Sequence, residues 1–205
     1  MIEFVDESVI EAITKNSPSG RNTRFLKASH SLWKRFQNYN KHKPFVLYEK
    51  GIPVVAIFAT ISEKTKYINL YEIVTVQGKE RNGYARKAWA LFVDYWHNKG
   101  MNRIKLSCTP DSIGFHAKNG LVFWSVDKQG SLRSDQPLMP SISEQASLRE
   151  SALTDPNLVM PERKVCQKLK IEDIEYLNLS EKKLMQTYQA IRSVGDYWFR
   201  KHLNV

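Results

Sequence analysis

The run Val76-Gln77-Gly78-Lys79-Glu80-Arg81-Asn82-Gly83-Tyr84-Ala85 carries the first chemical signal in the chain. This run leaves a β-branched segment and enters a helical pattern. A chain that does so aims consecutive backbone N–H groups and the positive end of a helix dipole at one point, the natural seat of a pyrophosphate. Gly83 lets the backbone approach such a ligand closely, and Ala85 keeps the next contact small. Arg81 and Arg86 add cationic support for phosphate.

A second chemical signal lies between Arg21 and Lys50. Eight cations occur there (Arg21, Arg24, Lys27, Lys34, Arg35, Lys41, Lys43 and Lys50), opposed by Glu49 alone. Phe25, His30, Trp33, Phe36, Tyr39, His42 and Phe45 interleave with them. Cations for a phosphate backbone combined with planar groups for stacking fit a nucleic-acid surface. The same residues also fit an amphipathic helix with Leu32, Phe36 and Tyr39 as its core stripe and solvated lysines outside.

Elements must position these groups. Asp6–Ile13 reads as a short helix with acidic residues at its start. Asn16–Asn22 is a breaker cluster and hence a loop, and a second helix runs from about Ser31 to Tyr39. Phe45–Tyr48, Val54–Ile61 and Tyr67–Val76 are strands, the first two joined at Lys50-Gly51. Ala88, Leu91, Phe92, Tyr95 and Trp96 recur at helical spacing from Tyr84 to Trp96, and Asn98-Lys99-Gly100 supplies the stop. Arg103–Cys108 reads as a strand, Ser112–Asn119 as a short helix and Leu121–Val126 as another strand. This alternation argues an α/β architecture.

Beyond Asp127 the chain turns polar, and Pro137, Pro140, Pro156 and Pro161 interrupt any long element. Residues 127–163 read as a long loop or insertion with a small helix near Ser147–Leu153. Lys164–Ile171 reads as a returning strand, and Ser180 as the cap of a final helix through His202. Residues 1–126 then form the core, and 164–205 complete the same domain.

The run from Val76 to Ala85 resembles motif A of the GNAT acetyltransferases, with Glu80 standing where that family has Gln or Arg. Ser112-Ile113-Gly114-Phe115-His116-Ala117-Lys118-Asn119-Gly120-Leu121 resembles their motif B. The two occur in the family's order, separated by a strand of the expected length, and the resemblance covers roughly residues 45–126. It implies a GNAT fold: a mixed, mostly antiparallel central sheet flanked by helices, here with a long insertion and a C-terminal helix. It also implies acetyl-CoA, or another acyl-CoA, as cofactor. Val74, Val76, Arg81, Asn82, Gly83, Tyr84, Ala85, Arg86, Ser112 and Lys118 would hold it, with backbone N–H groups around Val74–Val76 polarising the thioester carbonyl.

The resemblance places the catalytic base on the strand before motif A. Glu72 fits, because a half-buried strand carboxylate has a raised pKa; the alternative is a solvent-facing residue in a salt bridge. His116 stands where the family's acidic tyrosine belongs. It reads as a general acid in imidazolium form, a substrate ligand or a structural histidine. Cys108, at the end of the strand before motif B, reads as a buried thiol before an acyl-cysteine. Acceptor contacts are expected from Trp33, Trp124, Asp127, Arg133 and Asp135.

The implied reaction is transfer of an acyl group from acyl-CoA to an amine. The formal charge of +10 over 205 residues tilts the acceptor toward something polyanionic, such as a nucleobase. A base-modifying relative of the phage Mom proteins falls within that reading. A nucleic-acid-binding module without catalysis is the other class, favoured by the carboxylate of Glu80 in a phosphate turn.

Two cysteines make neither a disulfide framework nor a four-thiolate zinc site, and no metal is expected. The acidic start Met1–Glu7 and the lack of a run of about 20 apolar residues point to a cytoplasmic protein with no membrane partner. The oligomeric state is not legible in the sequence.

Overall fold

A computed structural model describes residues 2–36, 42–108, 112–121, 125–126 and 132–154. The chain divides into two compact units, one running to Met101 and the other starting at Asn102.

In the first unit four strands, β1 (Ile2–Phe4), β2 (Phe45–Glu49), β3 (Ile52–Ser62) and β4 (Tyr67–Thr75), lie side by side in that order, all antiparallel. Helices cover both faces, which is why β3 is buried almost continuously from Val54 to Ala59 instead of alternating. On one face α1 (Glu7–Asn16) and α2 (Arg21–Phe36) bury Ile10, Ile13, Leu26 and Trp33 against Val46, Ala56, Phe58 and Val74. On the other, α3 (Tyr84–Asn98) buries Ala88, Trp89, Phe92, Val93 and Trp96, and Phe92 meets Phe45 edge-on at 5.5 Å.

Helix α2 starts at Arg21, ten residues before the expected Ser31. Its buried stripe is Thr23, Leu26, Ser29, His30 and Trp33, so polar side chains occupy core positions and hide the helical period. Leu32, expected in the core, is 39% exposed.

The second unit contains β5 (Arg103–Cys108), α4 (Ile113–Lys118), β6 (Ser125–Val126), β7 (Leu132–Pro137) and α5 (Ile142–Thr154). β7 pairs antiparallel with β5 over six residues and with β6 on its other side. A strand therefore lies where the sequence suggests only loop. Its inward residues are polar: Ser134 donates to Gln136, and Gln136 donates to the Gly120 carbonyl at 3.1 Å. Helix α5 is longer than expected. Ser141 caps its start, its hydroxyl accepting from the Glu144 amide and donating to the Glu144 carboxylate. The strand expected at 164–171 and the helix expected at 180–202 lie outside the described residues.

Candidate active site

The turn from β4 into α3 is built from left-handed residues. Gly78, Arg81 and Gly83 have φ of 83°, 63° and 73°. The Lys79 amide closes a tight turn on the Val76 carbonyl, and the Lys87 amide closes the first turn of α3 on Gly83. Gly83 is the N-cap and has no side chain to cap with, and no acidic residue stands in the first turn. The amides of Tyr84, Ala85 and Arg86 thus stand at the positive end of a 15-residue helix without a capping side chain. A Cβ added at Gly83 would meet nothing within 4 Å, so open space lies over the turn. Arg81 and Arg86 are exposed beside it.

Two polar side chains take up structural work here. Asn82 folds back, donating to the carbonyls of Lys79 (3.2 Å) and Glu80 (3.0 Å), so it braces the turn rather than reaching outward as a cofactor ligand. Glu80 is held by Asn22 at the start of α2, whose side-chain amide donates to the Glu80 carboxylate at 2.8 Å and to the Thr75 carbonyl at 2.9 Å. The Asn22 backbone amide also donates to Gln77 at 3.1 Å. The carboxylate that looked hostile to phosphate is tied to α2.

Along β4 the backbone donors alternate. Val76 donates to the Val54 carbonyl, so by ladder alternation Val74 faces Ala56 of β3 as well. The amides of Val74 and Val76 are therefore sheet bonds and not thioester donors; those turned from β3 belong to Ile73 and Thr75. Of the donors expected around Val74–Val76, Thr75 is the one turned from β3.

Glu72 pairs with Phe58, and the next pair, Ala59 with Leu70, leaves Tyr71 as the extra residue of a β-bulge. The register places Glu72 on the face it shares with Val74, Ala56 and Phe58, which α1 and α2 cover. Burial pushes its carboxyl up to about 7, against a smaller downward pull from the Ile73 amide. That amide points away from β3 and is the backbone donor to the carboxylate.

Trp33 does not present its ring for stacking on a substrate: it is buried in the α1–α2 core and lies nearly parallel to His30. In the second unit, His116 is buried on α4 beside Phe115, and desolvation lowers its pKa to about 4. It is neutral at pH 7, which does not fit the imidazolium acid expected of it. Ser112 donates to the sulfur of Cys108, which is buried, at 3.4 Å. Lys118 is exposed at the end of α4. Arg133 and Asp135 stand on β7 opposite Ser107 and Lys105, while Trp124 and Asp127 lie outside the described residues. Among the described residues no group of three potential metal ligands occurs, and no helix is long and apolar enough to cross a membrane.

The fold is α/β, with a mixed, mostly antiparallel sheet flanked by helices, and it is the fold of the GNAT N-acetyltransferases. The chain is similar to an N-acetyltransferase of Thermoplasma acidophilum in complex with coenzyme A: TM-score 0.52 and 11% identity, covering 67% of this chain and 98% of that one. The ribosomal-protein-S18-alanine N-acetyltransferase of Escherichia coli matches at 0.51 and 11% identity, over 67% of this chain and 93% of its own. A spermidine/spermine N-acetyltransferase of Vibrio cholerae matches at 0.50 and 13%, over 67% and 94%. These likenesses lend nothing to the phage-type DNA-modifying expectation. No protein-family model and no curated protein sequence matches the chain.

Proposed function

We propose that this chain is an N-acyltransferase that uses an acyl-CoA, in the simplest case acetyl-CoA, and an amine acceptor. One observation supports this above the others: the uncapped, glycine-entered N-terminus of α3 directly follows a strand whose Glu72 carboxyl is held near neutrality. Coenzyme A suits these residues, because the Tyr84, Ala85 and Arg86 amides and the guanidinium groups of Arg81 and Arg86 match a pyrophosphate in charge and donors. The open space over Gly83 leaves its backbone approachable. When bound, acyl-CoA supplies an activated acyl carbonyl and a thiol leaving group.

Glu72 then takes the proton that an amine must lose before it can attack. A pKa of about 7 leaves the carboxyl substantially ionised at neutral pH yet basic enough to accept that proton. The Ile73 amide steadies the carboxylate.

A nucleic-acid acceptor is the second reading, and α2 favours it. That helix has five cations, Arg21, Arg24, Lys27, Lys34 and Arg35, and no acidic residue. Phe25 is 41% exposed with the Arg21 guanidinium 5.2 Å from its ring centre.

Calorimetric titration with acetyl-CoA tests the proposal, followed by acyl transfer to polyamine, peptide and nucleic-acid amines. Binding at one equivalent, lost in Gly83→Ala, is expected. Absence of binding to the unaltered protein overturns the acyl-CoA reading.

A further inference from the structure

The first unit contains a cavity of about 490 Å³ that borders the turn entering α3 through Val76, Gln77 and Lys79 but lies on the α1 side of the sheet. Its walls come from α1 (Val9, Ala12), from the β2–β3 hairpin (Tyr48, Ile52, Pro53) and from the turn after β4 (Lys79). That volume is in the range of small-molecule sites, a few hundred to about 1,000 Å³.

Three features define what it would take. Its walls are mainly apolar, and Ile52 is left 50% exposed at the rim. The Lys50-Gly51 turn, with φ of 49° and 76°, fixes the hairpin that sets Ile52 there. A ligand covering Ile52 gains by removing that surface from water. Among the described residues Lys79 is the only charged one lining the cavity, and no carboxylate lines it. Glu49, close by in sequence, is taken by Lys87 at 2.8 Å, and Glu7 and Glu11 of α1 are turned to Lys34. An amine would meet no carboxylate among these lining residues, which disfavours a polyamine or lysine acceptor here.

We infer that this cavity is a second binding site, for a small monoanion with an apolar aryl or branched-alkyl body and a single acidic head group at Lys79.

Two dyes that share a ring body test it on the full chain: 8-anilinonaphthalene-1-sulfonate, which is anionic, and N-phenyl-1-naphthylamine, which is neutral. Fluorescence titration is expected to show one saturable site for each. Lys79→Met should weaken the sulfonate about three- to tenfold and leave the neutral dye unchanged, since only the charge pairing is lost. Ala12→Trp, which fills the cavity from an exposed helix position, should abolish both. Ala28→Trp, at an exposed position of α2 outside the cavity, should alter neither. Retention of binding by Ala12→Trp overturns the site, and equal loss of both dyes in Lys79→Met overturns the anionic head group. Displacement of the sulfonate by equimolar coenzyme A would place the dye on the α3 turn and also overturn it, whereas failure of coenzyme A to bind at all leaves this test intact.

Discussion

Burial of Glu72 in β4 favours its neutral carboxyl, while the Ile73 amide favours the carboxylate; burial wins, and the group titrates near 7 instead of 4.5. Two consequences have opposite signs. As a base Glu72 works ionised, so kcat/KM should rise about tenfold per pH unit below 7 and level off above it. Glu72→Gln should lower the rate by about 100-fold or more at pH 8 in a steady-state assay. For stability, the folded state holds the Glu72 proton more tightly than the unfolded chain. Its contribution is present in full below about pH 4.5 and is lost as pH rises to 7. Glu72→Gln should therefore be more stable than wild type above pH 7 in denaturant titration, by up to about 3 kcal/mol, with the gain absent near pH 4. A merely structural carboxylate in a salt bridge would give the reverse. The raised carboxyl of Glu72 was legible in the sequence, because a half-buried strand position disfavours the charged form. The neutrality of His116 was not, since a histidine letter does not say how much water surrounds the ring.

Two left-handed glycines bracket α3 and allow strain to be separated from binding. Gly83 enters the helix with φ of 73° and Gly100 follows it with φ of 79°, and a Cβ on either meets nothing within 4 Å. Gly83→Ala and Gly100→Ala should each destabilise the fold by about 1 kcal/mol in denaturant titration. Only the first should lose coenzyme A affinity. Gly120, by contrast, closes α4 where α5 approaches, and a Cβ there would lie 2.5 Å from the Gln145 and Ala146 backbone. Gly120→Ala should cost about 3 kcal/mol, read by the same titration. Asn22 joins α2 to the phosphate turn, so Asn22→Ala should release the Glu80 carboxylate. Calorimetry should then show coenzyme A binding roughly tenfold weaker, with the loss shrinking as salt is raised. The turn glycines were readable as motifs, because few residues adopt positive φ. The Asn22–Glu80 bond was not, since the two residues are 58 positions apart and meet only through packing.

For the whole molecule, a charge of +10 predicts attraction to any polyanion, and the nucleic-acid reading needs more than that. If α2 is the contact, Arg24→Glu with Lys27→Glu should weaken binding to single-stranded nucleic acid at least tenfold and flatten its salt dependence. The same charge change made at Lys64 and Lys66, in the β3–β4 turn, should do so far less. Equal effects in a filter-binding series would reduce the interaction to bulk charge.

The amino-acid order by itself fixed the β-branched run of β3, the alternation of β4 and β5 and the helical period of α3. It also determined the glycine-entered turn, because left-handed backbone is a property of single residues. Tertiary structure decided what depends on distant partners. It set the start of α2, whose core face includes Thr23, Ser29 and His30, and it made a strand of β7 by pairing Ser134 and Gln136 inside. It fixed which β4 amides face β3, since strand parity follows from register and not from composition. It buried Trp33 and His116, removing one from substrate contact and the charge from the other. Desolvation and register arise only when elements pack, and they separate a candidate residue from one in position to act.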